Sequence, residues 1–269
     1  MSEWYSGDVV ANGIRIHYTR TGGDKPPLVL CHGATDQGLC WTIAARELQA
    51  DYDVIMPDAR GHGRSEAPAG GDYGTDAQAD DLAGLIRALG LGQALVGGHS
   101  MGGASSLYLA AYYPELVRGA FLEDPALTVL QDTSLQEREE AAERWRLDDI
   151  EQKAMSREQR LAHCREGNPT WSEEELALWA DCRPHVAMRF ASFFTAVPRV
   201  PWRQALAQVK CPVLLLAPEH GLVTPDQANE MARLLPSLTV ATIPGTGHCI
   251  RRDQPAAYLR VVREFLAAV

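Results

Sequence analysis

Five residues, Gly98-His99-Ser100-Met101-Gly102, constrain this chain more than any other part of it. The apolar run before them, residues 94–97, reads as a buried strand, and residues 103–111 read as a helix. A serine at the apex of so sharp a strand-to-helix turn is held in strained backbone geometry, with its side chain clear of the sheet. The flanking glycines lack a Cβ, so strand and helix can come close. The helix N-terminus behind Ser100 favours negative charge beside it. The turn predicts that Ser100 attacks an electrophilic carbon.

The rest of the chain supplies a matching frame. Strand signals fall at residues 9–11, 14–18, 27–31, 53–56, 94–98, 119–123, 212–217 and 238–242. Helical spacing runs over 42–50, 75–89, 103–113 and 254–268. Asn12-Gly13 is a hairpin signal between the first two strands. The alternation predicts an α/β fold with a mostly parallel eight-stranded sheet and flanking helices. Residues 127–202 break the pattern. Charged helical stretches at 136–154, 156–166 and 172–182, and one at 185–196 with three phenylalanines, predict a helical lid. It would lie between the sixth and seventh strands, with residues 1–126 and 203–269 forming the core. Ser172 and Glu175 have capping-box spacing. Such a lid would cover the carboxyl edge of the sheet, where open α/β sheets bind ligands. Phe190 and Phe194 are expected to line that pocket or to pack the lid's own core.

Composition excludes several functions. The 269 residues suffice for one large domain with a full core. A net charge of -10 leaves no basic surface for phosphates, so neither nucleic acid nor an anionic membrane is expected as a partner. Residues 1–8 show no signal-peptide pattern, and no apolar stretch is long enough to span a bilayer. The six cysteines are scattered without a C-x-x-C pair, which predicts reduced thiols and a cytoplasmic protein. No Cys/His set has metal-ligand spacing, and no P-loop or GxGxxG appears, so neither metal nor cofactor is expected.

Four motifs lie in order along the chain. They are Cys31-His32-Gly33-Ala34, the run from Pro57 through Asp58, Arg60, Gly61, His62 and Gly63 to Ser65, Gly98-His99-Ser100-Met101-Gly102, and Pro244-Gly245-Thr246-Gly247-His248. On these residues the chain resembles the α/β-hydrolase fold superfamily over essentially its whole length. A serine hydroxyl needs a base, and His248, in a Gly-rich loop after the last strand, stands where the superfamily places its catalytic histidine. The resemblance implies structural roles for His32, His62 and His99. It also implies an oxyanion hole from the backbone N–H groups of Ala34 and Met101. Thr35, Asp36 and Trp41 follow closely and are expected near the pocket, with core packing open for Trp41.

The acid departs from the common pattern. Most relatives carry Asp in the loop after the seventh strand, where this chain has Gly221. A minority place it after the sixth strand, where Glu123-Asp124-Pro125 stands. Asp124 is the expected acid, with Glu219 and Glu123 as alternatives. Arg251 and Arg252 are expected at the surface, or against an anionic substrate group. The implied chemistry is cofactor-free two-step acyl transfer on a small, fairly apolar ester or lactone. Carbon–carbon bond hydrolysis, perhydrolysis and ligand reception with residual hydrolysis are the other outcomes the scaffold allows.

Overall fold

The computed structural model describes residues 4–269, so the signal-peptide expectation falls in part, at Met1, Ser2 and Glu3, outside the described residues. One sheet contains β1 (Tyr5–Ala11), β2 (Ile14–Arg20), β3 (Pro27–Cys31), β4 (Asp53–Pro57), β5 (Ala94–His99), β6 (Val117–Glu123), β7 (Val213–Pro218) and β8 (Leu238–Ile243). Their spatial order is β1-β2-β4-β3-β5-β6-β7-β8. The β1–β2 and β2–β4 pairs are antiparallel, and β3 through β8 run parallel. Asn12 and Gly13 both have positive φ, as a tight hairpin turn requires.

The central strands are buried on both faces, and their side chains alternate between two helical layers. Val29, Ala120, Leu122, Val213 and Leu215 point to one layer. Leu28, Leu30, Phe121, Leu214 and Leu216 point to the other. The first layer is built by α2 (Thr75–Ala88), α3 (Met101–Tyr112), α8 (Trp202–Leu206) and α9 (Pro225–Leu234), through Ile86, Leu107, Trp202 and Met231. The second comprises α1 (Thr42–Leu48) and the C-terminal α10 (Ile250–Asp253) and α11 (Pro255–Ala268), through Leu48, Ile250, Tyr258 and Val262.

Between β6 and β7 the described residues form helices and turns only. These are α4 (Thr128–Gln131), α5 (Leu135–Ala154), α6 (Arg157–Gly167) and α7 (Glu173–Cys182), with 3-10 turns at Arg183–His185 and Met188–Thr195 before α8. Ser134 and Ser156 start α5 and α6 with complete capping boxes. At α7 the box is half made: Ser172 Oγ accepts from the Glu175 N–H, but the Glu175 carboxylate goes to Arg252. The stretch expected as a helix over 185–196 is instead wound at three residues per turn. That period eclipses Phe190 and Phe193, whose rings stack 5.2 Å apart. With Tyr73, Met101, Leu130, Trp145 and Val186 they form a third apolar cluster. No helix among the described residues is long and apolar enough to cross a membrane.

Candidate active site

Ser100 sits between β5 and α3 with φ 53° and ψ -112°, a backbone conformation that non-glycine residues rarely adopt. Two glycines make the turn possible. A Cβ on Gly98 would lie 2.2 Å from the Gly102 carbonyl, and one on Gly102 would lie 2.2 Å from the Cys31 carbonyl. Backbone bonds hold the strain in place. The Ser100 N–H donates to Glu123 O at 2.9 Å, and Ser100 O accepts from the Ala104 and Ala126 N–H groups.

The three carboxylates weighed as the acid have different partners. Asp124 directly follows β6 with φ 40°, and its side chain is fully buried. Its Oδ2 lies 2.5 Å from His248 Nδ1. The same carboxylate accepts from Leu222 N and Val223 N, each at 2.9 Å. A Cβ on Gly221 would come within 2.3 Å of Asp124 Oδ2. The β6 carboxylate thus fills the space that a side chain at 221 would need. Glu219 stands elsewhere: its exposed carboxylate braces the histidine loop by accepting from Gly245 N at 2.7 Å. Glu123 turns away and accepts from Arg251 N and Nη1. Burial pushes its carboxyl above the usual range despite Arg251.

The His248 side chain is 37% exposed, and its carbonyl accepts from His99 Nε2 at 3.0 Å. With Nδ1 held by Asp124, Nε2 is the ring nitrogen left to exchange a proton. Ser100, His248 and Ala34 share a cavity of about 510 Å³ with Ala126, Leu130, Phe193, Phe194 and Leu222. Four charged residues of α5 (Glu137, Arg138, Glu140 and Arg144) complete its wall. Nothing in their spacing distinguished these from a solvated helix face.

Two buried histidines fix the Ala34 loop. His32 Nδ1 meets Gly33 O at 2.8 Å, while its Nε2 accepts from Ala59 N. His62 Nε2 lies 2.9 Å from Ala34 O, and its Nδ1 lies 3.0 Å from Arg60 O. Met101 opens α3, whose N-terminus has no capping side chain. Met101 thus follows Ser100 directly, and Ala34 lines the same cavity as Ser100.

Burial lowers His32, His62 and His99. His62 falls to about 3, with His32 adding to the effect, and His99 falls well below its usual value. Each folded value lies below the unfolded one, so acidification protonates the unfolded chain first. Their contribution to stability is complete above about pH 6.5 and is lost as pH falls toward the folded values. Glu123 and Asp81, both raised by burial, act with the opposite sign. Urea midpoints should be level from pH 8 to 7 and fall steadily from pH 6.5 to 5. His62→Gln should flatten that slope; an unchanged slope would remove His62 as a cause.

Several pocket expectations are corrected. Asp36 and Trp41 do not face the cavity. Asp36 is buried between Arg251 Nη2 at 3.0 Å and Arg252 Nη2 at 3.1 Å, and Trp41 packs in the second core layer under the Arg251 guanidinium. Those two cations hold the Asp36 carboxyl below the usual range although burial alone would raise it. Arg251 and Arg252 are accordingly buried, not surface residues. Arg251 also pairs with Glu123, and Arg252 with Glu175 of α7. Thr35 lies outside the cavity wall, where its Oγ1 accepts from Trp179 Nε1. Phe190 is fully buried against His62, Tyr73 and Trp145, so only Phe194 of the expected pair lines the cavity, and Phe193 joins it. Asp36, Cys40 and Cys182 bring ligand-type atoms within 4.8 Å of one another, a grouping invisible in sequence spacing. Two guanidinium groups already hold Asp36, and their charge opposes a cation there.

Comparisons with known proteins agree with this fold. The sequence pattern of the α/β hydrolase fold matches residues 26–251. The chain is 33% identical to an N-formylmaleamate deformylase of Pseudomonas putida, over 97% of this chain and 96% of the relative. It is 30% identical to a 2-hydroxymuconate semialdehyde hydrolase of a Pseudomonas species, over 97% and 93%. The crystal structure of an E-2-(acetamidomethylene)succinate hydrolase superposes with a TM-score of 0.82 at 25% identity, covering 98% of this chain and all of the other. The chain belongs to the α/β hydrolase fold family, and it is an enzyme of the hydrolase class.

Proposed function

We propose that the chain hydrolyses an acyl bond of a small molecule through a Ser100–His248–Asp124 triad. The observation that carries this reading is the Asp124–His248 pair, 2.5 Å apart, opening onto the same cavity as the strained Ser100. In the first step Ser100 Oγ attacks the acyl carbon, and His248 takes its proton and passes it to the leaving group. The Ala34 and Met101 N–H groups receive the negative charge on the acyl oxygen. In the second step His248 activates water, which releases the acid from Ser100. Asp124 keeps the imidazole in the tautomer that can accept a proton and stabilises the imidazolium.

Residues 127–202 act in this reading as a lid that shapes the cavity. Esters and lactones fit this chemistry. The deformylase and the acetamidomethylene succinate hydrolase among the relatives add acyl C–N bonds to the candidates. The semialdehyde hydrolase supports cleavage of a carbon–carbon bond beside a carbonyl as the second reading. A fluorophosphonate should label Ser100, and Ser100→Ala should abolish labelling and turnover. A panel of nitrophenyl esters, N-formyl and N-acetyl enamides and a ring-cleavage dienoate then separates the bond types. Folded protein that resists the fluorophosphonate would overturn the triad.

A further inference from the structure

One cation in the cavity wall lacks an anion. Arg138, on α5, lines the space over Ser100 and His248, and it forms no ion pair among the described residues. Its Nε is buried with no acceptor. The other charged side chains of the wall are engaged. Glu137 accepts from the Ser134 N–H and hydroxyl, each at 2.7 Å, as the helix cap. Glu140 takes a Gln136 amide hydrogen at 3.1 Å and lies 3.9 Å from Arg144.

A guanidinium donor withdrawn from water without an acceptor is unfavourable until a ligand supplies one. Its planar fork fits a carboxylate with two parallel hydrogen bonds. The phenylalanine and leucine side chains of the same cavity offer no competing acceptor. The chain as a whole carries a charge of -10, so its general field repels an anion, and capture of one needs a local cation.

From this geometry we infer that Arg138 is the specificity-determining residue of the site and binds a carboxylate on the substrate, away from the acyl group that Ser100 attacks. The inference rests on Ser100 as nucleophile. It makes the substrate a small acyl compound with a free acid group, rather than the fairly apolar ester expected from sequence.

The test is a matched pair of esters: 4-nitrophenyl hydrogen succinate and its methyl-capped form. The readout is the ratio of their kcat/KM values. The unaltered enzyme should prefer the free acid. Arg138→Met should lower the ratio by about 10- to 100-fold, on the order of a charged hydrogen bond, with Arg138→Lys between them. In a Ser100→Ala background, calorimetry should show the uncleaved half ester binding, with Arg138→Met weakening it at least about tenfold. Melting of Arg138→Met should be unchanged or higher, because an orphaned buried donor is removed. A starting ratio at or below one, an equal loss on both esters, or binding indifferent to residue 138 would overturn the assignment. Failure of fluorophosphonate labelling would instead sink the triad reading. Labelling with both esters cleaved at a ratio insensitive to residue 138 would sink the carboxylate site alone.

Discussion

Asp124→Asn should lower kcat about 10⁴-fold while the fold and most substrate affinity persist. The hydrogen bonds around the carboxylate explain the size of the loss. Leu222 N and Val223 N both donate to it, so an asparagine must turn its carbonyl oxygen toward them. Its NH₂ group then faces His248 Nδ1. That nitrogen must become the acceptor, and the proton moves to Nε2, where it blocks the base. Asp124→Ala should fail for a related reason, since nothing then orients the ring. Glu219→Ala should keep most of the activity, because Glu219 meets the Gly245 N–H and not His248. Steady-state kinetics with circular dichroism as the folding control decide it. A severe loss at 219 with a mild one at 124 would reverse the assignment.

Arg251→Met should destabilise the protein by about 3–5 kcal/mol, the range for removing one partner of a buried charge group. Arg251 and Arg252 share Asp36, while Glu123 and Glu175 close the two ends. Deleting the Arg251 guanidinium leaves Glu123 facing a thioether and Asp36 with one cation instead of two. It also removes the cation stacked 4.2 Å over Trp41. A second change, Glu123→Gln, should recover part of the loss, because the uncompensated charge is then gone. Urea unfolding of the single and double variants measures both effects. A loss under about 1 kcal/mol would mean that water reaches the group and screens it.

The parts of the structure that were legible in the sequence are those set by near neighbours. β5, the turn at Ser100 and α3 are consecutive, and the need for glycine at 98 and 102 follows from local closeness of backbone. The eight strands showed as apolar runs because most are covered on both faces. The helix start at Ser172 depends on residues three apart, and there the Ser172 hydroxyl does accept from the Glu175 N–H, although the Glu175 carboxylate goes to Arg252. Distant pairings were not legible. Arg251 and Arg252 follow a loop histidine and look exposed, yet their partner Asp36 is 215 residues from Arg251. Asp36 and Trp41 stand next to Ala34 in sequence but turn away from the cavity, where those two cations meet them. The phenylalanine stretch had apolar residues at a spacing that suits either an α-helix or a 3-10 turn, and in the folded chain Phe190 meets His62 edge-on and Trp145 at a tilt, contacts distant in sequence. The charges of α5 showed no asymmetry along the chain; only the cavity distinguishes Arg138 from its neighbours.

The vacancy at Gly221 has a bearing on how kinship is judged. Anyone counting residues column by column would find glycine where an acid belongs and file this chain among enzymes that have decayed. The amides of Leu222 and Val223 remain, still cradling a carboxylate that now arrives from the adjacent strand. Because that cradle is main chain, it is indifferent to which segment delivers the oxygen atoms. A side chain at 221 and the carboxylate at 124 would therefore compete for one space, and the loop can hold either but not both.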